Sequence, residues 1–235
     1  MKKHFDIVFL VIVFITLILL SPKGREAVKD VMNQNKNESA KRVVVIDAGH
    51  GGWEPGKIGI NNVLEKDINL AIAMKLKTYL ELNDLEVVMT RTEDMGHYSE
   101  SDRNKKMADM RKRISIIEES NPIAAVSIHQ NSFQQEKYRG AQVFYHSKSA
   151  NGKTLAEIVQ AQIKETVKDD NKRKEKSNMD YYLLKKSTCP LIIVECGFLS
   201  NRQEAELLSE DAYQDKIAWA IHLGIMRYIS QITTG

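Results

Sequence analysis

The sequence predicts an α/β fold, and three observations carry that prediction. Short β-branched or apolar runs, Val43–Ile46, Ile123–Ile128 and Leu191–Val194, read as buried strands. Between and after them lie apolar stripes at helical spacing: Ile68, Ile72, Leu76 and Tyr79; Leu155, Ile158, Val159 and Ile163; Ile217, Ala220, Ile221, Ile225 and Tyr228. Each buried run also ends on a polar group, and open α/β sheets place their chemistry beyond the carboxyl ends of their strands. The 235 residues suffice for one sizeable α/β domain or two small ones.

Composition narrows the function. Hydrophobic residues make up 43% and charged residues 28%, which allows a packed core and argues against general disorder. A net charge of only +3, from 34 basic and 31 acidic residues, argues against nucleic-acid binding as the main theme. The two cysteines, Cys189 and Cys196, flank a strand candidate. Such a strand separates them by roughly 20 Å at about 3.3 Å per residue, too far for a disulfide. No paired-cysteine zinc pattern is present.

The chain opens with Lys2 and Lys3 before an apolar stretch from Ile7 to Leu20, the layout of a signal or anchor segment over residues 1–21. The stretch is shorter than the roughly 20 residues that span a bilayer comfortably. Ser21-Pro22-Lys23-Gly24 offers no clear cleavage site, which favours an uncleaved anchor. Either fate puts the remainder outside the cytoplasmic membrane. Residues 22–41 are polar and read as a linker, and residues 42–231 as the folded domain.

The first strand runs into Asp47-Ala48-Gly49-His50-Gly51-Gly52, which displays His50 on a tight glycine loop. A structural histidine in an ordinary turn is the plainer alternative. Glu65 falls on the stripe of Ile68, three residues before it, where a carboxylate must be paired or hold a cation. A capping-box pair with Asn62 would explain it without function. Glu86–Met89 is a short strand candidate, followed by a loop. The stripe Met107, Met110, Ile114 and Ile117 reads as core, and the cluster Arg111, Lys112 and Arg113 as a solvated face. The run Ile123–Ile128 ends at His129 and repeats the opening arrangement.

Ala141–Tyr145 is a further strand, residues 169–178 a charged and mobile connection, and Tyr181–Leu184 a short strand. Leu191–Val194 ends at Glu195-Cys196-Gly197, a third polar group at one end of the sheet. The last helix runs over about residues 212–229, and Gly224 on its apolar face allows a close packing contact. His97, His146 and His222 lack such a setting.

Two imidazoles and a carboxylate form a catalytic zinc set that leaves one coordination position open. A further carboxylate can move the proton between water and a leaving amine. Spacing alone does not say which glutamate is ligand and which is base.

The motifs DAGHGG, LEKDINLA, SIHQNSF and VECGFLSN, in this order, resemble the zinc-dependent N-acetylmuramoyl-L-alanine amidases of the Amidase_3 type over about residues 42–230. The resemblance implies one Zn²⁺ per chain on His50, Glu65 and His129, with Glu195 as the catalytic glutamate. It implies a single domain with a mixed or mainly parallel sheet of about six strands between helices, and peptidoglycan as substrate, cut between the lactyl group of muramic acid and L-alanine. A lone catalytic domain behind a hydrophobic segment, with RGAQVFYH and VECGFLSN, is similar to the sporulation-type enzymes. That implies action on spore cortex toward muramic-δ-lactam, in the forespore or cortex space, with an activator or accessory protein as a plausible partner. A zinc peptidase and a non-catalytic, membrane-anchored peptidoglycan-binding protein are the competing readings. The sequence departs from the family at Ala48, usually proline, at Glu54, usually aspartate, and at Ile117-Glu118, usually Ala-Asn. None of these is expected to touch a ligand.

Overall fold

The computed structural model divides the chain between Lys41 and Arg42. It describes residues 42–234, together with residues 21, 23 and 26. Apart from residues 21, 23 and 26, the anchor and linker expectations lie outside the described residues. Among the described residues, no helix is long and apolar enough to cross a membrane.

The elements follow in the order β1 (Val43–Ala48), α1 (Glu65–Glu81), β2 (Glu86–Met89), α2 (Lys105–Glu119), β3 (Ala124–Asn131), β4 (Gln142–His146), α3 (Ala150–Val167), β5 (Lys176–Asn178), α4 (Tyr182–Lys186), β6 (Leu191–Phe198), α5 (Arg202–Ser209) and α6 (Asp211–Thr234). The six strands form one sheet in the order β2-β1-β3-β6-β4-β5. β2, β1, β3 and β6 run parallel, whereas β4 lies antiparallel to β6 and parallel to β5. The fold is the mixed six-stranded α/β domain that the motifs imply.

Strand alternation decides what each face does, because successive side chains point to opposite sides. Val44, Ile46, Val126, Ile128, Ile192 and Val194 pack into a large core with the apolar stripes of α1, α3 and α6. Val45, Ala125, Leu191, Ile193 and Phe144 face a smaller core with α2 and α4. Asp47, Ser127, His129 and Glu195 continue that second face to the carboxyl end of the sheet. Between His129 and Asn131 the β3–β6 register shifts, so that His129 pairs with Glu195 but Asn131 pairs with Phe198. This is a bulge, a device that re-aims side chains at strand ends. Glu204 holds its far side by accepting hydrogen bonds from the Phe198 and Gly140 amides at 2.8 and 2.9 Å.

Helix ends follow their caps. Asn104, Ser149 and Asn201 each accept a hydrogen bond from a backbone amide three residues on, at 3.0 Å, and start α2, α3 and α5. Within the large core α6 meets α3 closely: a Cβ on Gly224 would lie 2.9 Å from the Val159 Cα, so glycine lets the two helices approach.

Several expectations are corrected. Asn62 and Glu65 form no capping box; the N-cap is Leu64, without a side-chain cap, and Asn62 sits at φ +65°. Glu65 is drawn away by the two histidines. Tyr181–Leu184 is not a strand, because residues 182–186 form the helix α4. The connection 169–178 is more ordered than its charge suggested. Asn171 donates to the Ala141 carbonyl at 2.7 Å, and Lys176–Asn178 pairs with β4. Arg111 and Lys112 are exposed, but Arg113 is buried, one turn before Ile117 on the inward stripe. Met107 and Met110 of that stripe line a cleft. Cys189 and Cys196 are both free, as their separation requires.

Candidate active site

The site lies at the carboxyl end of β1, β3 and β6, in a cleft of about 670 Å³. His50 leaves β1 in the left-handed region, at φ +61°. A non-glycine residue costs of order 1–2 kcal/mol there, so the surroundings must hold it. His129 stands on β3, and Glu195 beside it on β6. Glu65 heads α1, whose apolar stripe packs on the opposite face, and its carboxylate reaches the rim.

The two imidazoles converge on a single oxygen. His50 Nε2 lies 3.2 Å and His129 Nδ1 3.0 Å from Glu65 Oε1. Their rings meet edge to face, with centroids 4.9 Å apart. The same oxygen accepts the Gln130 amide at 3.0 Å, and Oε2 accepts the Lys57 amide at 2.8 Å. Asn69, one turn along α1, donates to the Gly49 carbonyl at 3.0 Å and lies 3.4 Å from Glu65 Oε1.

Glycine is required where the site packs against the loop. A Cβ on Gly49 would stand 2.3 Å from the His129 ring. Gly56, at φ +72°, would place one 2.5 Å from Glu65 Oε2.

The electrostatics separate the two glutamates. Burial works against ionisation of Glu65, but hydrogen bonds and charge from His129 and His50 outweigh it and hold the carboxyl well below the usual range. Burial also opposes the charged form of His50, and bonding to Glu54 and Glu65 overrides it, raising the imidazole to about 9. For Glu195 burial prevails: it pushes the carboxyl up to about 7, with Glu65 adding to it, although the charges of His129, His50 and Lys57 pull the other way. Its Oε2 is buried without a hydrogen-bond partner among the described residues. A buried acid near neutrality with a vacant lone pair is poised to take and return a proton.

Glu54 corrects a further expectation, since it does touch the site. Its Oε2 lies 3.5 Å from His50 Nδ1, and its Oε1 accepts from Lys106 Nζ at 2.7 Å. His50 in turn draws the Glu54 carboxyl down to about 2. Of the other departures, Ala48 offers its carbonyl to Arg91 and Arg113, each at 2.8 Å. Glu118 accepts from Ser187 and Thr188 and ties α2 to the turn before β6.

The structure thus gathers all four predicted residues at one rim. Donor atoms of His50, Glu65 and His129 all lie within 4.8 Å of one another and could hold a metal ion. Two neutral-capable nitrogens and a carboxylate whose outer bonds are already satisfied suit zinc. His97 and His222 bond elsewhere, to the Thr90 carbonyl and Asn83. Sequence reasoning missed Arg113, Arg91, Asn69 and Glu54. For Arg113 and Asn69 the signal was present, since each lies one turn from a residue on an inward stripe.

Residues 44–227 match the family described as N-acetylmuramoyl-L-alanine amidase, Amidase_3. The chain is 35% identical to a germination-specific N-acetylmuramoyl-L-alanine amidase of Bacillus subtilis, over 81% of each chain. It is similar to the CwlD amidase of Clostridioides difficile, solved in complex with the GerS lipoprotein, at 42% identity and TM-score 0.78, covering 81% of this chain and 99% of that one. It is also similar to the amidase AmiC2 of Nostoc punctiforme, at 34% identity and TM-score 0.72, covering 82% and 99%.

Proposed function

The chain belongs to the Amidase_3 family of N-acetylmuramoyl-L-alanine amidases, which are generally zinc-dependent and act on peptidoglycan, and from that premise we propose how its residues work and where. His50, Glu65 and His129 hold one zinc ion, and Glu195 is the catalytic base and acid. The observation that carries this reading is the convergence of three donor groups, from three separate elements, within 4.8 Å of one another at the rim where Glu195 holds a buried carboxyl with a vacant oxygen.

Zinc bound there supplies a Lewis acid that polarises the scissile carbonyl and lowers the pKa of a water. The protein supplies the remainder. The Gln130 and Lys57 amides pin both oxygens of Glu65, so the carboxylate cannot swing. Glu195 takes a proton from the attacking water at Oε2 and delivers it to the nitrogen of L-alanine as the amide C–N bond breaks. The products are a free lactyl carboxylate on muramic acid and a stem peptide with an intact amino terminus.

The substrate in the cell is spore-cortex peptidoglycan, and cleavage is a step toward muramic-δ-lactam. The germination-specific relative and the CwlD amidase support this placement. The N-terminal hydrophobic segment anchors the enzyme outside the cytoplasmic membrane, in the forespore or cortex space. An accessory protein is a further partner, in keeping with the CwlD–GerS complex. Digestion of purified peptidoglycan tests the chemistry. Free muramic lactyl groups with intact L-alanine peptides are expected; cuts within the stem peptide would replace this reading with a peptidase.

A further inference from the structure

We infer that Arg113 and Arg91 are positioning residues: they clamp three successive carbonyls, of Ala48, Gly49 and His50, and thereby fix the direction in which His50 presents its imidazole. The inference rests on His50 being a metal ligand. It adds two residues outside the set of metal donors, from elements remote in sequence.

The geometry is specific. Arg113, from α2, donates through Nη2 to the His50 carbonyl at 2.6 Å and through Nη1 to the Ala48 carbonyl at 2.8 Å. Arg91, from the loop after β2, donates through Nε to the Ala48 carbonyl at 2.8 Å. Its Nη2 reaches the Gly49 carbonyl at 3.1 Å and the Lys66 carbonyl at 2.7 Å. Lys66 follows Glu65, so Arg91 bonds the backbone beside two of the candidate ligands at once. Only a guanidinium, with five donors in a rigid fork, can serve two or three carbonyls this way; an ammonium is a single point of charge.

The forks are themselves aimed. Arg113 Nη1 and Nε pair with Asp47 Oδ1 and Asp109 Oδ2, both at 2.7 Å. Asp47 is held by Ser127 at 2.5 Å and Thr90 at 2.7 Å. Asp109 accepts the His97 amide at 2.7 Å. Both arginines are almost fully buried, at 1% and 2% exposure. Two buried cations side by side repel, and the pairing with Asp47 and Asp109 offsets this. A hydrophobic pair would fill the volume at less cost. What it could not do is donate to the carbonyls of Ala48, Gly49 and His50, which set the path of the chain through His50 at φ +61°. The arrangement therefore belongs to the presentation of His50.

The test measures zinc affinity, the visible spectrum of the cobalt-substituted protein, kcat and KM on peptidoglycan fragments, and far-UV dichroism for folding. Arg113→Lys and Arg91→Lys keep the charge and lose the fork. A folded variant of either kind should bind zinc about 10–100-fold more weakly, the range for partners that orient ligands. Its cobalt spectrum should shift, and kcat should fall while KM stays within about threefold. Arg91→Lys carries the test if Arg113→Lys does not fold. A folded variant with zinc affinity within twofold of the parent and an unchanged cobalt spectrum overturns the inference, even if its melting temperature falls. His129→Ala is run beside them. If it too retains zinc, the metal-site reading itself has failed; if it loses zinc while the arginine variants keep it, only this inference has.

Discussion

Gly49→Ala probes the site without removing a donor. The residue lies outside the left-handed region, so alanine incurs no backbone penalty, and any effect comes from the methyl group. That methyl would lie 2.3 Å from both Cε1 and Nε2 of His129 and 2.8 Å from Cδ2. Ordinary contact begins near 3.4 Å, so the ring or the loop must yield by about 1.1 Å. The loop cannot retreat, because the Gly49 carbonyl is held by Asn69 and Arg91. The ring therefore moves, and with it a nitrogen that metal coordination locates to within about 0.2 Å. A displacement of that order costs about 100-fold in catalysis, and overpacking costs about 1–3 kcal/mol in stability. Isothermal titration with zinc, initial rates on peptidoglycan fragments and urea unfolding of the metal-free protein measure all three. Parent-like zinc affinity and rate in Gly49→Ala would refute the reasoning, because the ring would then not be where the site needs it.

Other consequences are as specific. Glu195→Gln removes the proposed proton carrier and none of the proposed metal donors, so zinc content should stay at the parent level while kcat falls at least 100-fold; joint loss of zinc would move Glu195 into the ligand set. Glu54→Ala removes the carboxylate 3.5 Å from His50 Nδ1 and should weaken zinc binding by about tenfold, read by competition with a chromophoric chelator; no change would leave Glu54 a surface partner of Lys106. Asp47 sets an acid limit. Burial raises its pKa, but Arg113 and hydrogen bonds from Ser127 and Thr90 carry it down to about 2 from 3.8. Its contribution, about 2 kcal/mol, is thus complete above pH 4 and lost as pH falls through 2. Urea unfolding of the metal-free protein should lose stability across that window more steeply than Asp47→Asn; parallel profiles would contradict the assignment. Gly224→Ala gains about 1 kcal/mol of helix propensity but drives a methyl to within 2.9 Å of the Val159 Cα, so the melting temperature should drop by several degrees rather than rise.

The sequence reveals what depends on local pattern. The β-branched runs located β1, β3 and β6, and the stripes located α1, α3 and α6, because burial on one face imposes its period. His50, His129 and Glu195 were visible because each ends or continues such a run. What stayed hidden depends on partners distant in sequence. Arg113 looked like part of a basic surface until Asp47, 66 residues away, was seen to pair with it. Glu65 fitted a capping box until His50 and His129 claimed its carboxylate. Tyr181–Leu184 has strand-like residues, yet residues 182–186 turn into a helix that covers the smaller core. Glu54 looked remote from the proposed ligands because a loop's path, unlike a strand's, does not follow from residue spacing.

Zinc-edge X-ray absorption on the purified protein tests the central claim most directly. One zinc per chain is expected, with two imidazole nitrogens and the remaining donors oxygen, at about 2.0–2.2 Å. Sulfur in the shell, a single imidazole, or no stoichiometric zinc would contradict the site of His50, Glu65 and His129.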